Sequence, residues 1–326
     1  MSTPQQPITI ESGPWRKQAI HMGPPDRPLF GFFHPPAPGG GAWKGAGVVL
    51  CAPFGTDHTR SDRTYRHLAE RLSATGFACM RFDPFGTGDS GGDEYAPHLV
   101  RTWLDGIDVA IDELRARSGA RAIALVGLRL GATLAAFHAA ERGDIDALVL
   151  WSPCVSGAGF VREVTKLHKL YTRIEPQLAR ASPPSADGEE ALGSFLPREV
   201  IRDLAAIDLL QLARRPAART LVVDGGMVQG LGALLDRLRD LGAAPELQSH
   251  PGHKFLLTIS HRAALPDEVI DSVVGWLHGA FPGAHPPERR DLLPSGAAPV
   301  HERPVVFGGE RPLFGIMTPA DAAHGP

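Results

Sequence analysis

The chain has 326 residues, 43% of them apolar, and a net charge of −3. This balance excludes the basic face that nucleic acid or an anionic membrane requires, and no apolar run reaches the ~18 residues that span a bilayer. Length and apolar content suffice for one large core or two small ones. Met1-Ser-Thr-Pro-Gln-Gln-Pro7 has neither the basic nor the apolar stretch of a secretory leader. Cys51, Cys79 and Cys154 make no CxxC pair and lie in or next to apolar runs, the pattern of reduced, buried thiols in a cytoplasmic protein.

Glycine and proline crowd both ends. Residues 1–47 hold 8 Gly and 9 Pro, and residues 282–326 hold 6 Gly and 9 Pro. Between them, Gly47–Ala52 reads as a buried strand, followed by a helix from about Asp62 to Thr75 that stops at Gly76. The strand Phe77–Phe82 and a helix from about Leu99 to Arg117 come next. Then follow the strand Ala122–Val126, a helix from Leu130 to Arg142, and the strand Ala147–Trp151. After a break come the strand Thr220–Asp224, a helix Leu231–Leu241, a short strand around Glu246–Ser249 and a helix Pro266–Leu277. Strands apolar on both faces, each followed by a helix, predict an α/β fold with a mostly parallel sheet covered on both sides. Between Ser152 and Ala218 the pattern shows no strand. It carries helical periodicity around Phe160–Ala179 and then a polar stretch, Ser182–Glu190. An insertion there, about 154–217, reads as a helical cap over the ligand crevice; the alternative is a peripheral decoration.

The third parallel strand ends in Val126-Gly127-Leu128-Arg129-Leu130-Gly131-Ala132. In a strand–turn–helix elbow of the G-x-S-x-G type, the first glycine makes room at the sharp turn. The second lets the helix pack against the strand, and the central residue projects above the sheet edge. Both glycines are present at that spacing, and the central residue is Arg129.

On these residues the chain resembles the α/β-hydrolase fold, in its serine-aminopeptidase-like branch. It is similar there to bacterial proteins with a GLRxG elbow, including hydrolase-like proteins associated with exosortase systems. Further matching stretches are Ala52-Pro-Phe-Gly55, Arg81-Phe-Asp-Pro-Phe-Gly-Thr-Gly-Asp-Ser90, Leu148-Val-Leu-Trp-Ser-Pro153 and Gly252-His253, within a span from about Ile8 to Phe281. The resemblance implies a domain over 1–283 and places the nucleophile slot on Arg129. A guanidinium stays protonated near neutral pH and attacks no carbonyl. The oxyanion slot falls on the backbone N–H of Leu130 with that of Phe54 or Gly55. The base slot falls on His253, with His250 as runner-up. The acid slot is displaced, and only Asp224 is near it.

Two roles are open to Arg129. Beside helix-terminal N–H groups it grips a carboxylate, phosphate or enolate oxygen of a ligand, or it is held by an internal carboxylate such as Asp57, Asp83 or Asp224. Asp57 and His58 follow the oxyanion segment, with either a direct role at the crevice or a loop-stabilising one. Gly86-Thr-Gly-Asp-Ser90 lacks the Lys-Ser/Thr of a phosphate loop and reads as a structural turn. Cys154 and Ser152 are displaced-nucleophile candidates without an identified base. The scattered histidines and absent HExxH spacing point to no metal, and no cofactor is expected.

Arg27-Pro-Leu-Phe-Gly31 returns as Arg311-Pro-Leu-Phe-Gly315, each copy preceded by an acidic residue, Asp26 or Glu310. By hydrolase analogy the first copy is the second strand of an N-terminal hairpin. A repeat one domain length later predicts a Pro/Gly-rich linker plus a partial copy of that hairpin over 284–326. Its exposed edges suit a homo-oligomer or a second hydrolase-like unit.

The leading expectation is a small-molecule enzyme acting on an acyl, ester or thioester-like metabolite without a serine nucleophile. In it His253 activates water or the substrate's own nucleophile, while backbone N–H groups and Arg129 stabilise negative charge. A catalytically inactive pseudo-hydrolase that binds a ligand or partner is the alternative. A serine esterase with a relocated nucleophile ranks last.

Overall fold

Three antiparallel strands, β1 (Ile8–Ser12), β2 (Trp15–Met22) and β3 (Leu29–His34), lead into a parallel run of β4 (Ala46–Cys51), β5 (Ala78–Phe82), β6 (Ala122–Leu128), β7 (Ala147–Trp151), β10 (Arg219–Asp224) and β11 (Ala244–Ser249). Together they form one nine-stranded sheet in the order β1-β2-β3-β5-β4-β6-β7-β10-β11. This computed structural model describes residues 8–12, 15–174, 187–226, 228–250, 265–283, 303–307 and 313–317.

Strand period sets the layers. Val48 and Leu50 of β4, Val126 and Leu128 of β6, and Val149 and Trp151 of β7 face one core; Val49, Leu125, Leu148 and Leu150 face the other. The first core is closed by α1 (Thr56–Ala74) and α7 (Asp267–Ala280), through Tyr65, Leu68 and Leu72, and Val273 and Leu277. The second is closed by α2 (Leu99–Ser118), α3 (Leu130–Arg142) and α6 (Leu231–Asp240). Each of these buried aliphatic side chains contributes roughly 1.5–3 kcal/mol over exposure. Chain order runs from β4 to β5 on one side and then to β6 on the other. The sheet therefore has its switch point between the carboxyl ends of β4 and β6, where ligands bind in open α/β sheets.

Two sequence expectations are corrected. Helix α1 starts at Thr56, six residues before the expected Asp62, because Thr56–Ser61 is polar and carries no apolar period to mark it. Asp57 and His58 thus lie on the first turn of a helix, after Gly55 at φ 63°. The segment between β7 and β10 is also not strandless. It holds α4 (Gly157–Ile174), a hairpin of β8 (Gly188–Ala191) and β9 (Ser194–Pro197), and α5 (Arg198–Ala205). Leu192 and Gly193, both at positive φ, make the two-residue turn. Leu-Gly is not a usual signal for it, and strands of four residues show too little alternation to read. Residues 175–186, part of the expected helical and polar stretch, lie outside the described residues.

A separate two-stranded sheet, β12 (Arg303–Phe307) and β13 (Leu313–Met317), follows near the C-terminus, with β12 next to β1. Leu313 pairs with Phe307 as Leu29 pairs with Met22, so both copies of the Arg-Pro-Leu-Phe-Gly string open the second strand of a hairpin.

Candidate functional site

Arg129 sits between β6 and α3 with φ 55° and ψ −122°, a backbone conformation that costs a non-glycine residue ~1–3 kcal/mol. Its neighbours fix that conformation. The Arg129 N–H donates to the Trp151 carbonyl at 2.9 Å, and its own carbonyl accepts from the N–H groups of Ala132 and Thr133. A Cβ on Gly127 would lie 2.4 Å from the Ala132 backbone, and one on Gly131 only 2.3 Å from the Cys51 carbonyl oxygen. The elbow glycines are therefore required by contact. The start of α3 is pressed against the end of β4, where Ala52-Pro-Phe-Gly55 begins. Leu130 opens α3, so its N–H has no helical acceptor.

Arg129 is 5% exposed, and its side chain is held by two carboxylates. Nε lies 3.5 Å from Asp57 Oδ2, and Nη2 donates to Glu163 Oε1 on α4. Burial opposes the guanidinium charge, but Cys154, Glu163 and Asp57 outweigh it and raise its pKa. Burial also lifts the Asp57 carboxyl above its ordinary value, although Arg129 and Arg60 pull the other way. Of the three internal partners considered for Arg129, Asp57 is the one it meets. Asp83 instead faces His58, 3.3 Å away. The Asp224 Oδ1 accepts from the N–H groups of Gly226 and Val228 in the loop after β10. Glu163 was not expected, and no motif marks it.

An open cavity of about 1210 Å³ lies over the sheet, with Arg129, Pro153, Cys154 and Gly230 on one side and α4 on the other. A smaller pocket of about 140 Å³ lies by Arg129, Phe54, Gly55, Asp57 and Glu163. His58 lines neither; with Phe54, Gly55 and Gly86–Gly88 it borders a third pocket of about 280 Å³. Asp57 is thus brought to Arg129, whereas His58 turns to the Gly86–Ser90 turn. There Ser90 Oγ accepts from the Phe30 N–H and donates to the Asp83 carbonyl, the structural role expected of that turn. Cys154 is buried, and burial pushes its thiol up to about 12, against Arg129. Ser152 is buried on a residue at φ 42°. The His250 N–H donates to the Asp224 carbonyl at 2.8 Å. His253 lies outside the described residues. All three cysteines are free and buried. Among the described residues no three His, Cys, Asp or Glu side chains group to hold a metal, and no helix is long and apolar enough to cross a membrane.

The model of a serine aminopeptidase, S33 family matches residues 45–224, from β4 through β10. Among solved structures the chain is similar to Est1E from Butyrivibrio proteoclasticus with ferulic acid bound. That match has 18% identity and a TM-score of 0.56, covering 81% of this chain and 99% of that one. It is also similar to an esterase of Pyrococcus furiosus (12% identity, TM-score 0.54, covering 85% and 99%). A third match is the proline iminopeptidase of Mycobacterium smegmatis (14% identity, TM-score 0.54, covering 81% and 98%). These likenesses establish the α/β-hydrolase fold. No curated protein matches the sequence.

Proposed function

Because the chain belongs to the serine aminopeptidase, S33 family, we propose that it is a hydrolase-type enzyme that processes a small acyl, ester or thioester-like metabolite without a serine nucleophile. The observation that carries this reading is the retained strain at Arg129, a left-handed non-glycine residue at the switch point of the sheet. Strain at such a place persists where the surrounding structure serves a site. A carbonyl oxygen in the crevice takes the N–H of Leu130 with that of Phe54 or Gly55. These donors are backbone groups, so they survive a change of the elbow side chain. Arg129 spends Nε and Nη2 on Asp57 and Glu163. Its Nη1 has no partner among the described residues, so its N–H groups are available to a ligand anion. His253 activates water or a nucleophile within the substrate, and Asp224 is the carboxylate nearest the displaced acid slot.

The test is turnover of an ester and thioester panel by the wild type and by His253→Ala, with fluorophosphonate labelling in parallel. The expected result is turnover that falls about 100-fold or more in the variant, and no labelling of the wild type. Labelling of the wild type would overturn the no-serine mechanism, and undiminished turnover in the variant would remove His253 as base.

The pairing of Arg129 favours a second reading, in which the chain is a non-catalytic subunit that binds a ligand or partner. Ligand binding without turnover of any panel member would select it.

A further inference from the structure

We propose that the large cavity takes an acyl group carried on a phosphate-bearing handle, with the handle held by a row of cations on α4. Arg162, Lys166, Lys169 and Arg173 all line the cavity. Their spacing of four, three and four residues puts them on one face of α4, over roughly 16 Å at 1.5 Å per residue. With Arg129 the lining holds five cations against two carboxylates, Glu163 and Glu189, in a chain whose net charge is −3. The sign of the charge is therefore reversed locally at this cavity.

Among the described residues the row is also unpaired. None of the four side chains has a hydrogen-bond or ion-pair partner among the described residues, and the nearby Glu163 is taken by Arg129. Elsewhere on this chain arginines gather carboxylates: Arg71 meets Asp267 and Asp271, Arg101 meets Asp105 and Glu141, and Arg142 meets Asp108 and Asp144. Like charges four residues apart on a helix repel one another, and an anion bound between them relieves that repulsion. Lysine and arginine are the side chains that hold phosphate. A row of four cations suits several phosphate charges in extended array better than a single carboxylate. The same cavity is lined by Phe160, Val161, Leu167 and Leu170, which supply apolar surface for a chain beside the charged one. The acyl part of this assignment rests on the function proposed above; the phosphate part rests on the row itself.

Isothermal titration of the full chain with octanoyl-coenzyme A, methyl octanoate and inorganic pyrophosphate tests it. Octanoyl-coenzyme A is expected to bind at least about tenfold tighter than methyl octanoate, to weaken steeply with salt, and to be displaced by pyrophosphate. Lys166→Glu/Lys169→Glu should weaken it about tenfold or more by reversing two of the charges, and should leave methyl octanoate unchanged. Salt-independent binding, no preference over the methyl ester, or failure of pyrophosphate to compete would overturn the proposal. The salt series on the wild type decides the matter even where the double variant does not fold. Charge-dependent binding without turnover keeps this inference and removes the acyl-processing function. Turnover of neutral esters with charge-independent binding does the reverse.

Discussion

Arg129, on the turn after β6, donates through Nη2 to Glu163 on α4, so one ion pair joins the edge of the sheet to the segment above it. Asp57, on the first turn of α1, meets the same guanidinium from the other side at 3.5 Å. The two carboxylates differ in exposure, 16% for the Asp57 side chain and 41% for Glu163. Both compensate the same buried cation, but water can fill the place of the half-exposed Glu163 carboxylate and not that of the more buried Asp57. Asp57→Asn is expected to cost up to about 3 kcal/mol and Glu163→Gln about 1 kcal/mol. Urea denaturation of the two variants checks the order, and a larger loss for Glu163→Gln would contradict the assignment.

Arg129→Ser places a hydroxyl on a backbone already at φ 55° and ψ −122°. If His253 occupies the base slot, that hydroxyl gains a proton acceptor. The variant is expected to react with a fluorophosphonate where the wild type does not, as intact-protein mass spectrometry will show. An unreactive but folded Arg129→Ser would mean that no base faces the elbow.

Gly131→Ala drives a methyl group to 2.3 Å from one carbonyl oxygen and 2.4 Å from the next, both backbone atoms of residues 51 and 52. Neither can move without distorting β4 at the switch point. A loss of roughly 3 kcal/mol or more is expected, read as a large drop in thermal midpoint or as insoluble protein. Gly232→Ala, where a Cβ meets nothing within 4 Å, is the control expected to be neutral or stabilising.

His34 on β3 is 1% exposed, and its Nε2 has no hydrogen-bond partner among the described residues. Burial, with help from Arg81 and Lys17, lowers its pKa from 6.5 to about 3. The unfolded chain therefore binds this proton first, so the contribution to stability is complete above pH 6.5 and drains away as the pH falls toward 3. The loss is on the order of 5 kcal/mol over that window. The thermal midpoint should fall between pH 7 and pH 5 in the wild type and fall less in His34→Leu. Parallel pH profiles for the two proteins would refute the attribution.

The hairpin of β12 and β13 forms its own two-stranded sheet and, among the described residues, pairs with no strand of the larger one. A chain ending at Gly283 is accordingly expected to keep its far-ultraviolet circular dichroism and its unfolding midpoint. A lowered midpoint would show that the C-terminal hairpin belongs to the same cooperative unit. Sedimentation of both chains would reveal whether the repeated hairpin joins copies of the protein.

Local pattern was enough to place every strand from β4 to β7, and β10, to within two residues, because a fully buried parallel strand is an uninterrupted apolar run. The elbow was equally legible. Gly127 and Gly131 are dictated by backbone contacts at fixed spacing, so the string of letters carries the geometry. Arg162, Lys166, Lys169 and Arg173 lie within the stretch of helical periodicity, but only the structure singles them out, by the cavity they line. Segments without periodicity were not legible, and both the first turn of α1 and the hairpin of β8 and β9 fall in that class.

The sequence by itself determined the α/β sheet, the elbow and the presence of an arginine at its central position. Tertiary structure alone decided which carboxylates hold that arginine. Asp57 lies 72 residues before it and Glu163 34 residues after, and no periodicity links positions so far apart. Their meeting follows from the packing of α1 and α4 around the end of β6, and an ion pair is a matter of distance in space.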